Sequence, residues 1–256
     1  MSIQPDPRSP LQEEALYGIH AVQESLRARK RHPVELQLDD HASRDRFQSL
    51  IRLANECGVR VHFCSKHELF ENCGSKQHQG AVLITTGYPY SELSDDVFEE
   101  PRLLLLDNLE DPRNAGAILR SAHLFGFNTV LLPLKGGAGI YPSVVKTSAG
   151  ASEHLRVIRA ANSTKYFQRA RKAGCRTVAL DAQGGNVLSE VPVHDTRPLF
   201  LIMGGEDKRI GQYILNEAEV VARIPQNGKI NSLNASVAAG IALYHFSPQE
   251  TADGSR

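Results

Sequence analysis

The chain has 256 residues, 29 of them Lys or Arg and 29 Asp or Glu, for a formal net charge of zero. With 41% hydrophobic and 23% charged residues, the composition is that of an ordinary globular protein of one large or two small domains. It excludes a strongly basic nucleic-acid binder, and no apolar run approaches the ~18 residues of a membrane span. The start, MSIQPDPRSPLQEE, has no apolar stretch of the secretory kind, so the cytosol is the expected compartment. Cys57, Cys64, Cys73 and Cys175 form no CxxC pair. They are expected to be reduced, partly buried thiols, with no metal site.

In chain order, residues 1–14 are predicted to be a flexible tail. LYGIHAVQESLRA has the apolar spacing of a helix, VELQLD that of a strand, and RDRFQSLIRLANECG that of a helix closed by Gly58. VRVHFCS and GAVLITT are short β-rich runs. Residues 15–87 thus form a small α/β unit, and the proline-bounded acidic segment 88–100 is predicted to be a linker. RLLLLDNL then has the unbroken apolar character of a strand buried on both faces of a parallel sheet. NAGAILRSAHLFG is a helix ending at Gly126, NTVLLP a strand, PSVVKTSAG a helix opened by Pro142, and LRVI a strand. NSTKYFQRARKAG is a helix capped by Asn162, RTVALD and PLFLIMG are strands, and IGQYILNEAEV is a helix. VVARIP leads into a polar loop before the last helix, SLNASVAAGIALYHF. This alternation over residues 101–247 predicts a parallel sheet covered by helices, with a tail at 248–256.

The densest basic cluster is Arg27, Arg29, Lys30, Arg31 and His32. It is either a solvated helix end, where cations suit the dipole, or a set of phosphate contacts.

Ligands of α/β sheets gather beyond the carboxyl ends of strands. Three such loops are rich in Gly, Asn, Ser and charge: residues 107–122, 203–211 and 224–238. Each has a plain structural reading when taken alone. Asn114 suits a helix cap, Arg120 a solvent-facing side chain, Gly204 a tight turn, and Asn234 a local backbone bond. GxGxxG and GxxxxGKS are both absent, which argues against a nicotinamide oxidoreductase and a P-loop enzyme.

Taken together, NxGxxxRxA, then GxE after a strand, then IPxxGxxxSLNxSVA resemble the SpoU (TrmH-like) RNA 2′-O-methyltransferases. The likeness covers residues 101–246, and KTSAGASEHLRV also looks like family sequence. LYGIHAVQESL and HQGAVL are similar, more weakly, to the RNA-binding domain of the ribosomal-RNA branch. The resemblance implies an α/β fold with a trefoil-knotted parallel-sheet catalytic domain, an exception to the un-knotted rule, behind a smaller N-terminal α/β domain. It also implies a homodimer, S-adenosyl-L-methionine as cofactor, and an RNA substrate. That substrate is expected to be a guanosine ribose of large-subunit (23S) ribosomal RNA, with transfer RNA as the alternative. By the same resemblance Met203, Gly204, Ile224 and Leu233 help form the cofactor pocket. Asn114, Arg120, Glu206, Ser232 and Asn234 are the polar catalytic set.

Within that set, Arg120 would activate the ribose hydroxyl while Asn114 orients it. A guanidinium, with a pKa above about 12, is a poor base, so electrostatic stabilisation by Arg120 is an equal reading and a nearby RNA phosphate could take the proton. A non-catalytic RNA-binding assembly factor is a further alternative, although all the motif's polar residues are present. The sequence departs from the family after Glu206, where Asp207, Lys208 and Arg209 replace small glycines.

Overall fold

A computed structural model describes residues 13–205, 208–228 and 233–248. In chain order the elements begin with β1 (Glu13–Tyr17), α1 (Ile19–Ala28), β2 (Pro33–Asp39), α2 (Gln48–Glu56), β3 (Arg60–Cys64), α3 (Lys66–Cys73) and β4 (Ala81–Thr86). They continue with β5 (Arg102–Asp107), α4 (Pro112–Leu124), β6 (Thr129–Leu131), α5 (Pro142–Thr147), β7 (Arg156–Ile158) and α6 (Ser163–Lys172). The last are β8 (Arg176–Leu180), β9 (Asn186–Val187), β10 (Leu199–Gly204), α7 (Gln212–Glu217), β11 (Val220–Arg223) and α8 (Ala235–His245). The chain divides into two compact units, Met1–Tyr90 with Gly139–His154, and Ser91–Ala138 with Leu155–Arg256.

The first unit is built on a four-stranded sheet in the order β1-β4-β2-β3, with β4 antiparallel to both its neighbours and β2 parallel to β3. Two elements differ from the sequence expectation. The apolar positions from Leu16 onward looked like one helix, yet Glu13–Tyr17 is a strand and the helix starts only at Ile19. Gly18, at a φ of 94°, makes the corner between them, a conformation open to glycine. The other is α3, whose Ser65 cap accepts a bond from the backbone of Glu68 at 3.2 Å. Its apolar face is short, and only Leu69 is buried, so periodicity gives little sign of it. Of the expected N-terminal tail, Glu13 and Glu14 belong to β1 and the rest lies outside the described residues.

The segment Gly139–His154 packs in this first unit and completes its most buried polar feature. The side chain of Arg31 is fully buried. Its Nε donates to Glu153 at 3.0 Å and its Nη1 to Glu14 at 2.6 Å. Its guanidinium also lies 5.2 Å from the centre of the Tyr88 ring, and Tyr88 donates from its hydroxyl to the carbonyl of Ser152.

The second unit holds a seven-stranded sheet in the order β7-β6-β5-β10-β8-β11-β9, with every pairing parallel. Leu103 to Leu106 on β5 are all buried, which accounts for their unbroken apolar run. The segment predicted to be a linker carries a short helical turn at Asp95–Glu99, and its Val97 and Phe98 sit in this unit's core. Asn162 caps α6 as expected, accepting from the backbone of Lys165 at 2.8 Å, and Asp111 does the same for α4 at Arg113. The chain lays β5, β6 and β7 toward one edge and β8, β9 and β11 toward the other, with β10 inserted between β5 and β8. The carboxyl ends of β8, β10 and β11 are therefore close together. Among the described residues no helix is long and apolar enough to cross a membrane.

Removing Arg31 leaves Glu153 charged in a buried place. Arg31→Met is expected to cost the first unit about 3–5 kcal/mol, measured as a drop in its urea midpoint. Arg31→Met combined with Glu153→Leu should recover much of that loss.

Candidate active site

The first of the three loops leaves β5 at Asp107, a buried carboxylate that ties two elements together. Its Oδ1 accepts from the hydroxyl of Ser163 at 2.6 Å, at the start of α6. Its Oδ2 accepts from the backbone of Gly211 at 3.0 Å, where the second loop closes. Asn108 follows at a φ of 53°, a left-handed turn that Asn tolerates better than most residues, and donates from its side chain to the carbonyl of Arg209.

The second loop leaves β10 through Gly204 and Gly205. A Cβ on Gly204 would sit 2.8 Å from the backbone nitrogen of Ile210, and one on Gly205 would collide with the carbonyl oxygen of Asn108. Glycine is required at both because backbone passes against backbone. Lys208 then pairs with Glu110 at 2.7 Å, linking the second loop to the first.

The third loop follows β11 and leads into α8. Asn234 makes hydrogen bonds in both directions there. Its Oδ1 accepts from the backbone nitrogens of Ser236 at 2.9 Å and Val237 at 3.4 Å, capping the helix. Its Nδ2 donates to Oδ1 of Asn114 at 3.0 Å, on α4. Asn114 is buried on the side of α4 that packs against α8, whereas Arg120 is exposed. The step of six residues from one to the other amounts to about 600° of helical rotation, which leaves the two side chains roughly 120° apart. Among the described residues the Arg120 guanidinium has no hydrogen-bond or ion-pair partner.

A cavity of about 530 Å³ opens where these ends meet. Met203, Gly204, Ile224 and Leu233 all line it, and so does Asn234. Sequence reasoning missed Leu180, Asp181 and Ala182, which form its wall at the end of β8. The position just past a parallel strand is the signal that could have found them. Asp181 is nearly buried and accepts a bidentate pair from Arg209, with Nε to Oδ2 at 3.0 Å and Nη2 to Oδ1. Hydrogen bonding to Asp181 holds the Arg209 guanidinium above its ordinary pKa. Glu206 and Ser232, two members of the expected polar set, lie outside the described residues, as does Asp207.

The basic cluster of the first unit divides. Arg27 and Arg29 are exposed, with Arg27 paired to Glu24 at 2.6 Å. Lys30 lies 5.3 Å from the centre of the Tyr88 ring and donates to its hydroxyl. Arg31 differs from them, because its side chain is buried between two carboxylates. Among the described residues no cluster of His, Cys, Asp and Glu suits a metal ion. Burial pushes the Cys64 and Cys175 thiols up to about 11.

An all-parallel sheet with a cavity at neighbouring strand ends defines a ligand-binding α/β domain. The particular family follows from comparison with known proteins. Residues 101–244 match the SpoU rRNA Methylase family, and residues 15–91 match the RNA 2′-O ribose methyltransferase substrate-binding family. The chain belongs to the SpoU rRNA methylase family, and it is an RNA methyltransferase in class. It is 32% identical over 240 residues to YacO of Bacillus subtilis (strain 168), provisionally named a TrmH family tRNA/rRNA methyltransferase, covering 91% of this chain and 94% of that protein. It is 32% identical over 247 residues to the 23S rRNA (guanosine-2′-O-)-methyltransferase RlmB of Coxiella burnetii (strain RSA 493 / Nine Mile phase I), covering 93% and 97%. Among solved structures, the SpoU methyltransferase AviRb of Streptomyces viridochromogenes in complex with AdoMet superposes with a TM-score of 0.74 at 21% identity, over 91% of this chain and 89% of that one, a likeness of fold.

The two bonds of Asn234 can be separated by substitution. Asn234→Asp keeps the capping oxygen but sets an acceptor against Asn114, so thermal stability should stay near the parent value while methyl transfer is lost. Asn234→Ala should lose transfer and also about 1 kcal/mol of stability, read from denaturant melts. Full activity in either variant removes Asn234 from the site.

Proposed function

We propose that the chain transfers a methyl group from S-adenosyl-L-methionine to the ribose 2′-hydroxyl of a guanosine in 23S ribosomal RNA, in the cytoplasm. One observation carries this reading: the four residues expected at the cofactor and Asn234, from segments of sequence far apart, line a single cavity. Its volume, about 530 Å³, lies within the usual range for small-ligand sites, roughly 300–1,000 Å³. The donor set also fits. Met203, Ile224, Leu233, Leu180 and Ala182 offer an apolar bed for a purine, and glycine backbone and Asn234 offer polar contacts at its edge.

When bound, the cofactor supplies an electrophilic methyl group on a sulfonium. The chain's own residues then have to position a ribose oxygen in line with it, and positioning alone can supply about 7–11 kcal/mol. Asn114 is held by Asn234 on the rigid face of α4 and orients the hydroxyl side of the site. Arg120 provides positive charge for the developing alkoxide rather than accepting its proton, which passes to a nearby RNA phosphate. Its exposure and lack of a partner among the described residues leave that charge available to RNA. Glu206 and Ser232 complete the polar set by family resemblance, and the exposed Arg27 and Arg29 offer phosphate contacts in the first unit.

We also propose that the protein is a homodimer joined through α4 and α8. Leu124, Val237, Ile241 and Tyr244 of these helices are 69%, 50%, 41% and 69% exposed. Large apolar side chains gathered in this way mark an interaction surface. A trefoil knot in the second unit is proposed on family resemblance. The packing of α8 on α4, elements more than a hundred residues apart, supports it.

Radiolabelled methyl transfer to unmodified ribosomal RNA tests the activity, with unmodified transfer RNA alongside. Label is expected on a 23S guanosine ribose; label on transfer RNA alone would move the substrate assignment. Arg120→Lys keeps the charge but loses the planar fork, and should lower kcat by about 10²-fold, a typical loss when one stabilising donor is removed. An unchanged rate would sink the guanidinium role. Tyr244→Asp should yield monomers in sedimentation, and a persistent dimer would place the interface elsewhere.

A further inference from the structure

Among the described residues Arg209 and Asp181 are the charged lining of the cavity. Asp181 is a fixed anchor. It is only 6% exposed at the side chain, and its Oδ1 also accepts from the backbone nitrogen of Gln183 at 2.8 Å. Arg209 is tied to that anchor through Nε and Nη2, and through Nη1 to the side-chain oxygen of Gln183 at 3.0 Å. A guanidinium has more N–H donors than these three bonds use. The side chain is still 48% exposed. Its backbone is fixed as well, since Asn108 holds the carbonyl. The result is a preorganised cation at the wall of a mostly apolar pocket, with its orientation set before any ligand arrives.

A carboxylate entering such a pocket loses water and requires a charged or well-aligned donor in return. The geometry points to Arg209, positioned by Asp181 and Gln183, as the residue that binds the carboxylate of the cofactor's amino-acid end and so selects the intact methyl donor over analogues that lack it. The inference rests on the cavity being the cofactor site proposed above. An RNA phosphate is the competing anion. Arg209 is less suited to it, because the cation is anchored to the pocket's buried wall rather than to an outer rim.

Calorimetric titration of the full-length protein with S-adenosylmethionine and with decarboxylated S-adenosylmethionine tests the assignment. The latter keeps the sulfonium and the ammonium and lacks only the carboxylate. The parent protein should prefer the intact cofactor. Arg209→Ala should weaken it by about tenfold or more while leaving the decarboxylated form within about twofold, the contrast expected for one charged hydrogen-bonded contact. Arg209→Lys should fall between. Because Arg209→Ala leaves Asp181 unpaired, Asp181→Asn with Arg209→Ala is titrated alongside and should show the same contrast between ligands. Equal weakening of both ligands would make the pair a mere loop brace and overturn the inference. So would unchanged binding of both with a raised KM for RNA, the mark of a phosphate contact. Ala238→Phe, which fills the cavity from α8, separates the two levels. Loss of both ligands in that variant supports the cavity as the cofactor site, whereas undiminished binding of both would remove that reading and this inference with it.

Discussion

The site depends on one amide that hydrogen-bonds in two directions. Asn234 gives its oxygen to the open end of α8 and its nitrogen to Asn114. A carboxylate could cap the helix but has no hydrogen to donate, and a serine has the donor but a shorter reach. The entry of the last helix and the position of a residue 120 places earlier in the chain are therefore one constraint. The small residues of α8 permit this closeness, since Ala235, Ala239 and Ala242 are all buried. The helix is apolar nearly all round, and its other side carries Val237, Ile241 and Tyr244 outward.

The arginines divide by environment rather than by sequence cluster. Arg31 belongs to the most basic run of the chain yet is the least available of its members. Two carboxylates and the Tyr88 ring surround it, and a buried cation without such partners would carry a desolvation cost of several kcal/mol. Arg120 belongs to no basic run, and its charge is exposed. A net charge of zero is compatible with an RNA enzyme on these terms. Carboxylates such as Glu14, Glu153 and Asp181 are engaged in holding arginines, so the sum of charges says little about where an exposed cation such as Arg120 stands.

Most of the parallel sheet was legible because its strands are buried on both faces and bounded by caps with a defined chemistry. Leu103–Leu106 and Asn162 each announced their place through a local rule, and the structure agrees. The first unit was harder. Its β1 shares apolar positions with the helix that follows, and nothing local marks the break except Gly18. The segment around Val97 and Phe98 looked like a linker because it is acidic and bounded by prolines, but two buried side chains suffice to fix it in the core. Of the site, the pieces that form recurrent motifs could be read. Asp181 stands just past β8, where a ligand wall is expected, but its pairing with Arg209 could not be read, because the two come together only when β8 and β10 pair.

The departure from small residues after Glu206 also finds a physical account. A loop requires glycine where its backbone is crowded, and the crowding here falls on Gly204 and Gly205, against Ile210 and Asn108. Lys208 and Arg209 come after that point, and their side chains have room to extend. One reaches Glu110 across to the first loop, and the other reaches Asp181 at the end of β8. The second loop is thus tied to both neighbouring strand ends by ion pairs that a glycine-rich version could not make. Arg209 forms part of the cavity's wall, and the tolerance of the fold for these charges follows from the two glycines that precede them.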